Sequence, residues 1–208
     1  MQGEAATFYQ LLDHFDNFTG NINVDADNVS KIILYEDLML QRYRQNLSAV
    51  DIEGPYQELI AALSHAQVRE DNQLMMIFYR QLAQTILVKQ RTLKAIAVLS
   101  KDGADEAQAE AALIAVTNCK TALEQLLGDF RALWQQQRRG NGFEIIDVRL
   151  GGQIARCNTV TWRINEWLAG RDDLAELREP ILPMDKRNNG LVGHGLYKEI
   201  VSACELSF

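Results

Sequence analysis

The sequence predicts an all-α fold, an antiparallel helical bundle of about three long helices plus shorter ones. Three observations carry that expectation. Apolar residues recur at steps of three and four over long stretches between residues 74 and 168, the spacing that lines one face of a helix. Only 3 prolines occur in 208 residues, so little interrupts those stretches. Glycine-bearing stop signals, "KDGADE" and "QQQRRGNG", then divide them into separate helices.

Taken in order, Phe8, Leu11, Leu12 and Phe15 fall at helical spacing and predict a short amphipathic helix. The Asn-, Asp- and Gly-rich "NFTGNINVDADN" reads as a loop, so residues 1–28 form an N-terminal helix and linker ahead of a helical domain over 29–208. From about Ser30, "KIILYEDLMLQRYRQNL" predicts a helix, with an extended segment over "KIILY" as the alternative. Pro55 suits the first turn of another, over about 55–66.

The first long helix carries Leu74, Phe78, Leu82, Ile86, Leu93 and Ile96, a stripe interrupted only where Lys89 falls. Gly103 is expected to end it, with Asp105 and Glu106 in the first turn of the next, where carboxylates suit the helix dipole. That second long helix presents Leu113, Val116, Cys119, Leu123, Leu126, Phe130 and Leu133. Arg138, Arg139 and Gly140 close it. The third, 143–170, carries Ile146, Leu150, Ile154, Cys157, Ile164 and Leu168. "RDDLAELREPILP" reads as a short helical piece stopped by Pro180 and Pro183, followed by a loop and an ambiguous last dozen residues.

Composition excludes several classes. With 47% apolar residues the chain is globular, and a net charge of −7 argues against nucleic acid and against an anionic membrane surface. No apolar run reaches membrane-spanning length, and "MQGEAATFYQ" lacks the basic and apolar regions of a signal peptide. Cys119, Cys157 and Cys204 are widely spaced with no CxxC, as expected of buried thiols in a reducing, cytoplasmic setting.

No self-contained active site is legible, and no cofactor or metal is expected. Asp105-Glu106, Glu36-Asp37 and Glu70-Asp71 are adjacent carboxylates, which could share acid/base work if a partly buried frame separated their pKa values. Each is expected instead on a solvated turn. His14, His65 and His194 have no second ligand at helical spacing. "RLGGQ" lacks phosphate-loop spacing, and no strand precedes it. Gly151 and Gly152 therefore raise a question, because each costs about 1 kcal/mol relative to Ala inside a helix. Close approach of another backbone explains them better than a ligand. Trp134, Trp162 and Trp167 are expected in core or interface packing.

The run "GFEIIDVRLGGQIARCNTVTWRINEWLAGRDDLAELREPILP", residues 142–183, resembles the C-terminal helical domain of a bacterial subgroup of family 20 glycoside hydrolases, the exo-acting β-N-acetylhexosaminidases. Gly142, Phe143, Glu144, Asp147, Arg149, Leu150, Gly151 and Gly152 carry the likeness, then Leu168, Ala169, Gly170, Ile181, Leu182 and Pro183. "SKIILYEDLML" and "FRALWQQQRRGNGFE" extend it upstream to about Val29. Gln153 departs from the family by replacing an apolar residue, and Asn141 and Leu38 each stand where a proline is usual.

The resemblance implies a non-catalytic domain supporting a catalytic barrel or pairing subunits. The family's catalytic Asp-Glu pair follows a barrel strand, and Asp105-Glu106 lies between predicted helices, so no catalytic role carries over to it. Expected partners are the barrel of the parent hexosaminidase or a second copy in a homodimer, with neither nucleic acid nor membrane. Gly151 and Gly152 would admit the partner's backbone, Asp147 and Arg149 would make polar contacts, and Trp134, Trp162 or Trp167 would anchor them. A free-standing helical interaction module is the alternative.

Overall fold

A computed structural model of the chain describes residues 8, 10–15, 29–41, 43–48, 51–137 and 140–178. The expectations placed on the 17–28 loop, on Arg138 and Arg139, and on everything from Pro180 through Ile181, Leu182, Pro183, His194 and Cys204 lie outside those residues.

Among the described residues six α-helices are delimited: α1 (Val29–Tyr35), α2 (Arg44–Leu47), α3 (Glu53–His65), α4 (Gln73–Val98), α5 (Glu106–Gln137) and α6 (Glu144–Leu168). Single 3₁₀ turns occupy Asp13–Phe15, Glu70–Asn72 and Ala175–Leu177, and no strand occurs among the described residues. α5 packs along both α4 and α6, and the short connections make successive long helices antiparallel. α3 and α1 lie on α4. One core runs from Phe8 and Phe15 through Ile33, Tyr56, Ile86, Ile96, Val116, Leu123, Val160 and Ile164 to Leu177. The Tyr56 hydroxyl, wholly buried, donates to the Phe15 carbonyl at 2.9 Å and ties the N-terminal turn to α3.

The long helices begin and end for local reasons. Asp105 caps α5: its carboxylate accepts from the Gln108 N–H at 2.9 Å, and the Gln108 side chain accepts from the Asp105 N–H at 3.1 Å. This reciprocal cap satisfies two otherwise orphaned donors. α6 ends at Gly170, whose φ of +70° suits a left-handed cap; the Arg171 N–H reaches back to the Glu166 carbonyl at 2.8 Å. Gly142 turns the chain between α5 and α6 at φ +91°.

Three expectations are corrected. The helix expected from Ser30 through Leu47 is two helices, because carboxylates take over the backbone donors between them. The Asp37 Oδ1 accepts from the Met39 and Leu40 N–H groups, both at 2.9 Å, and the Glu36 Oε2 accepts from the Tyr43 N–H at 2.8 Å. Gln41 adopts φ +42° there, and Leu38 lies in this turn, where the resembled family commonly has a proline. Second, α4 ends at Val98, ahead of Gly103, which instead bends the connecting turn at φ +82°. Third, the helical piece expected after Gly170 is one 3₁₀ turn, led in by buried Leu174 at φ +50°.

Candidate functional site

The outward side of α6 is the surface feature that sets this helix apart. Its inward side buries Leu150, Gln153, Cys157, Val160 and Ile164. On the opposite side Ile145, Val148, Gly152, Ala155, Thr159 and Trp162 follow one another at steps of three and four, all exposed. Trp162 is 59% exposed, Val148 46% and Ile145 45%, large values for apolar side chains that share one line. The stripe extends about 25 Å at 1.5 Å per residue. No charged residue falls on it between Ile145 and Trp162.

The charged residues of α6 lie beside the stripe and are bonded within the chain. Asp147 accepts from Arg131 at 2.9 Å, and the Arg131 guanidinium also lies 5.6 Å from the Phe143 ring centre. Arg149 hydrogen-bonds Tyr35, whose phenol burial nevertheless holds above its ordinary pKa. Arg156 grips Asp37 in a two-pronged contact at 2.8 and 3.2 Å. Burial pushes the Asp37 carboxyl up, but Arg156 and the two backbone donors outweigh it and hold it below the usual value. Arg163 clamps Asp172 and Glu176, pinning the 3₁₀ turn to α6; that contact lowers Asp172 to about 2.

At Gly151 and Gly152 a Cβ would meet nothing within 4 Å, so no neighbour among the described residues requires either glycine. Of the three tryptophans, Trp162 alone is exposed. Trp134 is half-buried among Phe130 and Phe143, with ring centres 6.1 and 5.8 Å away, and Trp167 packs on the core.

The bundle interior holds a second polar feature. Lys89, in the middle of the α4 stripe, is 2% exposed. Its ammonium donates to the Leu34 carbonyl at 3.1 Å and to the Gln153 Oε1. Burial lowers its pKa, opposed by the fields of Cys119, Cys157, Asp37 and Glu36. Cys119 on α5 and Cys157 on α6 are free thiols sharing a hydrogen bond. That bond, more than Lys89, brings Cys119 down to about 7, while Cys157 is raised.

The adjacent carboxylates separate into two kinds. Asp105 is a helix cap, with Glu106 exposed beside it, and Glu70-Asp71 is exposed. Glu36-Asp37 departs from the expected solvated turn: Glu36 is 2% exposed, and both carboxylates are bonded to backbone N–H groups as described. Burial in that turn comes from chain reversal, which no local pattern signalled. His14 and His65 are exposed and far apart in sequence, and no group of three potential metal ligands occurs among the described residues. No helix there is long and apolar enough to cross a membrane.

Sequence reasoning singled out Gly151, Gly152 and Trp162 but missed the stripe that joins them. The signal was present as a second three-four pattern, Ile145, Val148, Ala155 and Thr159, opposite the core pattern. The Lys89–Gln153 pair was also missed, although both positions had registered as polar residues on apolar positions.

The described residues thus form an all-α antiparallel bundle with an uncharged outward face on α6. The family model described as "Glycoside Hydrolase 20C C-terminal domain" matches residues 7–194, and the chain belongs to that family of accessory domains of glycoside hydrolases. Neither the curated proteins nor the solved structures yield a match.

Proposed function

We propose that this chain is the non-catalytic C-terminal domain of a β-N-acetylhexosaminidase, an enzyme that hydrolyses terminal N-acetylhexosamine residues of glycans, and that it supports the catalytic barrel through the outward face of α6. The uncharged stripe from Ile145 to Trp162 carries this reading. Burying Trp162 and its apolar neighbours supplies the driving force. Gly151 and Gly152 leave a shallow floor on which a barrel helix approaches closely. Asp147 and Arg149, at the margins, retain donors and acceptors for contacts at the rim. The free thiols of Cys119 and Cys157 favour a reducing cytoplasmic setting.

The test is Trp162→Asp in the parent enzyme and in the isolated chain. Because Trp162 is exposed, the isolated chain should keep its melting temperature. The parent should lose heat stability and release nitrophenol more slowly from an aryl β-N-acetylglucosaminide, with about 2–4 kcal/mol of docking energy lost. A parent enzyme indifferent to the change removes the face from the proposal. A dimer of the isolated chain that the substitution dissolves assigns the face to a second copy. Nitrophenol release by the isolated chain overturns its non-catalytic role.

A further inference from the structure

A groove of about 310 Å³ lies between the C-terminal part of α4 and the stretch from the end of α1 through α2. Its walls are apolar, from Leu47, Leu93, Ala97 and Val98. Its rim carries three cations, Arg44, Lys94 and Lys101. Lys94 and Lys101 are exposed and form no ion pair among the described residues. Glu36, which also borders the groove with its carboxylate oxygens on backbone N–H groups, is one anion against three cations, so the cations set the local sign.

Two further observations point to a ligand. Gln90, on the groove floor, is 2% exposed, and neither its amide nitrogen nor its amide oxygen has a hydrogen-bond partner among the described residues. A buried carboxamide with both functions unmet is costly and rare, and it calls for a group that donates and accepts at once. Across the groove Gln41 is held at φ +42°, its amide donating to the Leu38 and Leu93 carbonyls at 2.9 and 3.0 Å. Strain of this kind in a non-glycine residue gathers at binding sites.

We infer that this groove binds a small amphipathic anion: a carboxylate or phosphate at the cationic rim, an apolar body along Leu93 and Ala97, and a carboxamide-like group on Gln90. Helix geometry sets its length. Lys94 lies one turn above Gln90, about 6 Å along the axis, and Lys101 lies three residues past the end of α4. A ring or short chain with polar groups at opposite ends spans that interval. The site is independent of the α6 face, so failure of either proposal leaves the other standing.

The probe is terephthalamate, a benzoate bearing a para carboxamide, titrated into the full chain and followed by amide chemical shifts of Ala97 and Val98. A dissociation constant of about 1–5 mM is expected for a dozen heavy atoms. It should be about tenfold tighter than for benzoate, which leaves Gln90 unmet, and also tighter than for the neutral diamide. In Gln90→Leu, a change that removes the orphaned amide and should not impair folding, the preference over benzoate should vanish. In Lys94→Ala/Lys101→Ala the preference over the neutral diamide should fall. Absence of binding at about 20 mM, four times that range, overturns the site. So does a probe preference that Gln90→Leu retains.

Discussion

Lys89 on α4 and Gln153 on α6 meet inside the bundle, joining two helices whose backbones are not close neighbours; α5 packs against both. The ammonium needs acceptors because burial there is complete, and the Gln153 oxygen supplies one where the resembled family has an apolar residue. The Leu34 carbonyl, at 3.1 Å, supplies another at the end of α1.

This pairing predicts strong non-additivity. Gln153→Leu alone leaves a buried ammonium with one protein acceptor and should cost about 2–3 kcal/mol. Lys89→Met alone strands the Gln153 amide and should cost about 1–2 kcal/mol. The double substitution replaces the pair with apolar groups of similar volume and should lie within about 1 kcal/mol of the parent chain. Urea unfolding of the four proteins measures the cycle, and additive losses would show that the pair is not coupled. The pH dependence is a second readout. The unfolded lysine keeps its proton up to its ordinary value of 10.5, whereas the native one releases it earlier. Between the native value and 10.5 the unfolded state therefore binds more protons, and stability rises with pH. Lys89→Met should flatten that alkaline rise.

Asp37 works in the opposite direction on the acid side. Its native pKa lies below the ordinary 3.8, so its contribution is complete above that value and is lost as pH falls through the native one. Arg156→Gln removes the two-pronged contact and should lower stability at neutral pH by about 1–2 kcal/mol. It should also shift the acid-unfolding midpoint upward. Circular dichroism against pH decides this; an unmoved midpoint would mean the ion pair contributes nothing.

The aromatic group at the turn from α5 to α6 predicts a large local cost. Phe143 is 6% exposed and packs against Phe130 and Trp134, with ring centres at 5.7 and 5.8 Å. Phe143→Ala should cost about 3–5 kcal/mol. Trp134 should then meet more water and shift the emission of the folded protein to the red. A loss below about 1 kcal/mol would indicate that the group can collapse onto the gap.

The α6 glycines predict a gain in the isolated chain. Nothing lies within 4 Å of a Cβ at Gly151 or Gly152, and both are helical, so Ala at each should raise stability by about 1 kcal/mol. In the parent enzyme the same pair of methyl groups should weaken assembly. Thermal unfolding of the two forms compares these directly. A stabilised domain in an equally stabilised enzyme would show that no neighbour uses the space.

How much was legible in the sequence differs from element to element. The three long helices and their core stripes were, because a repeat of 3.6 residues is a local property written in the order of side chains. The start of α5 beside Asp105 and Glu106 was legible too, though the reciprocal cap that Asp105 forms with Gln108 was not, and the resemblance to the family came from the run at 142–183. The break after Tyr35 was not legible, since "KIILYEDLML" carries helix-forming residues throughout. Asp37 turns the backbone through its bonds to the Met39 and Leu40 N–H groups, and Arg156, over a hundred residues later in sequence, also holds its carboxylate. The outward stripe on α6 was written in the sequence, but two apolar patterns on one helix do not say which faces the core.

By itself, then, the order of residues determined the helical class and the three long helices, which rest on near-neighbour spacing, while the run at 142–183 carried the resemblance to the family. Tertiary packing alone decided that Lys89 is buried and paired, that Glu36 and Asp37 leave solvent, and that Trp162 rather than Trp134 or Trp167 faces outward. Each of those outcomes depends on a partner distant in the chain. A side chain's charge, exposure and hydrogen bonds are set by what folds against it, which no local pattern encodes.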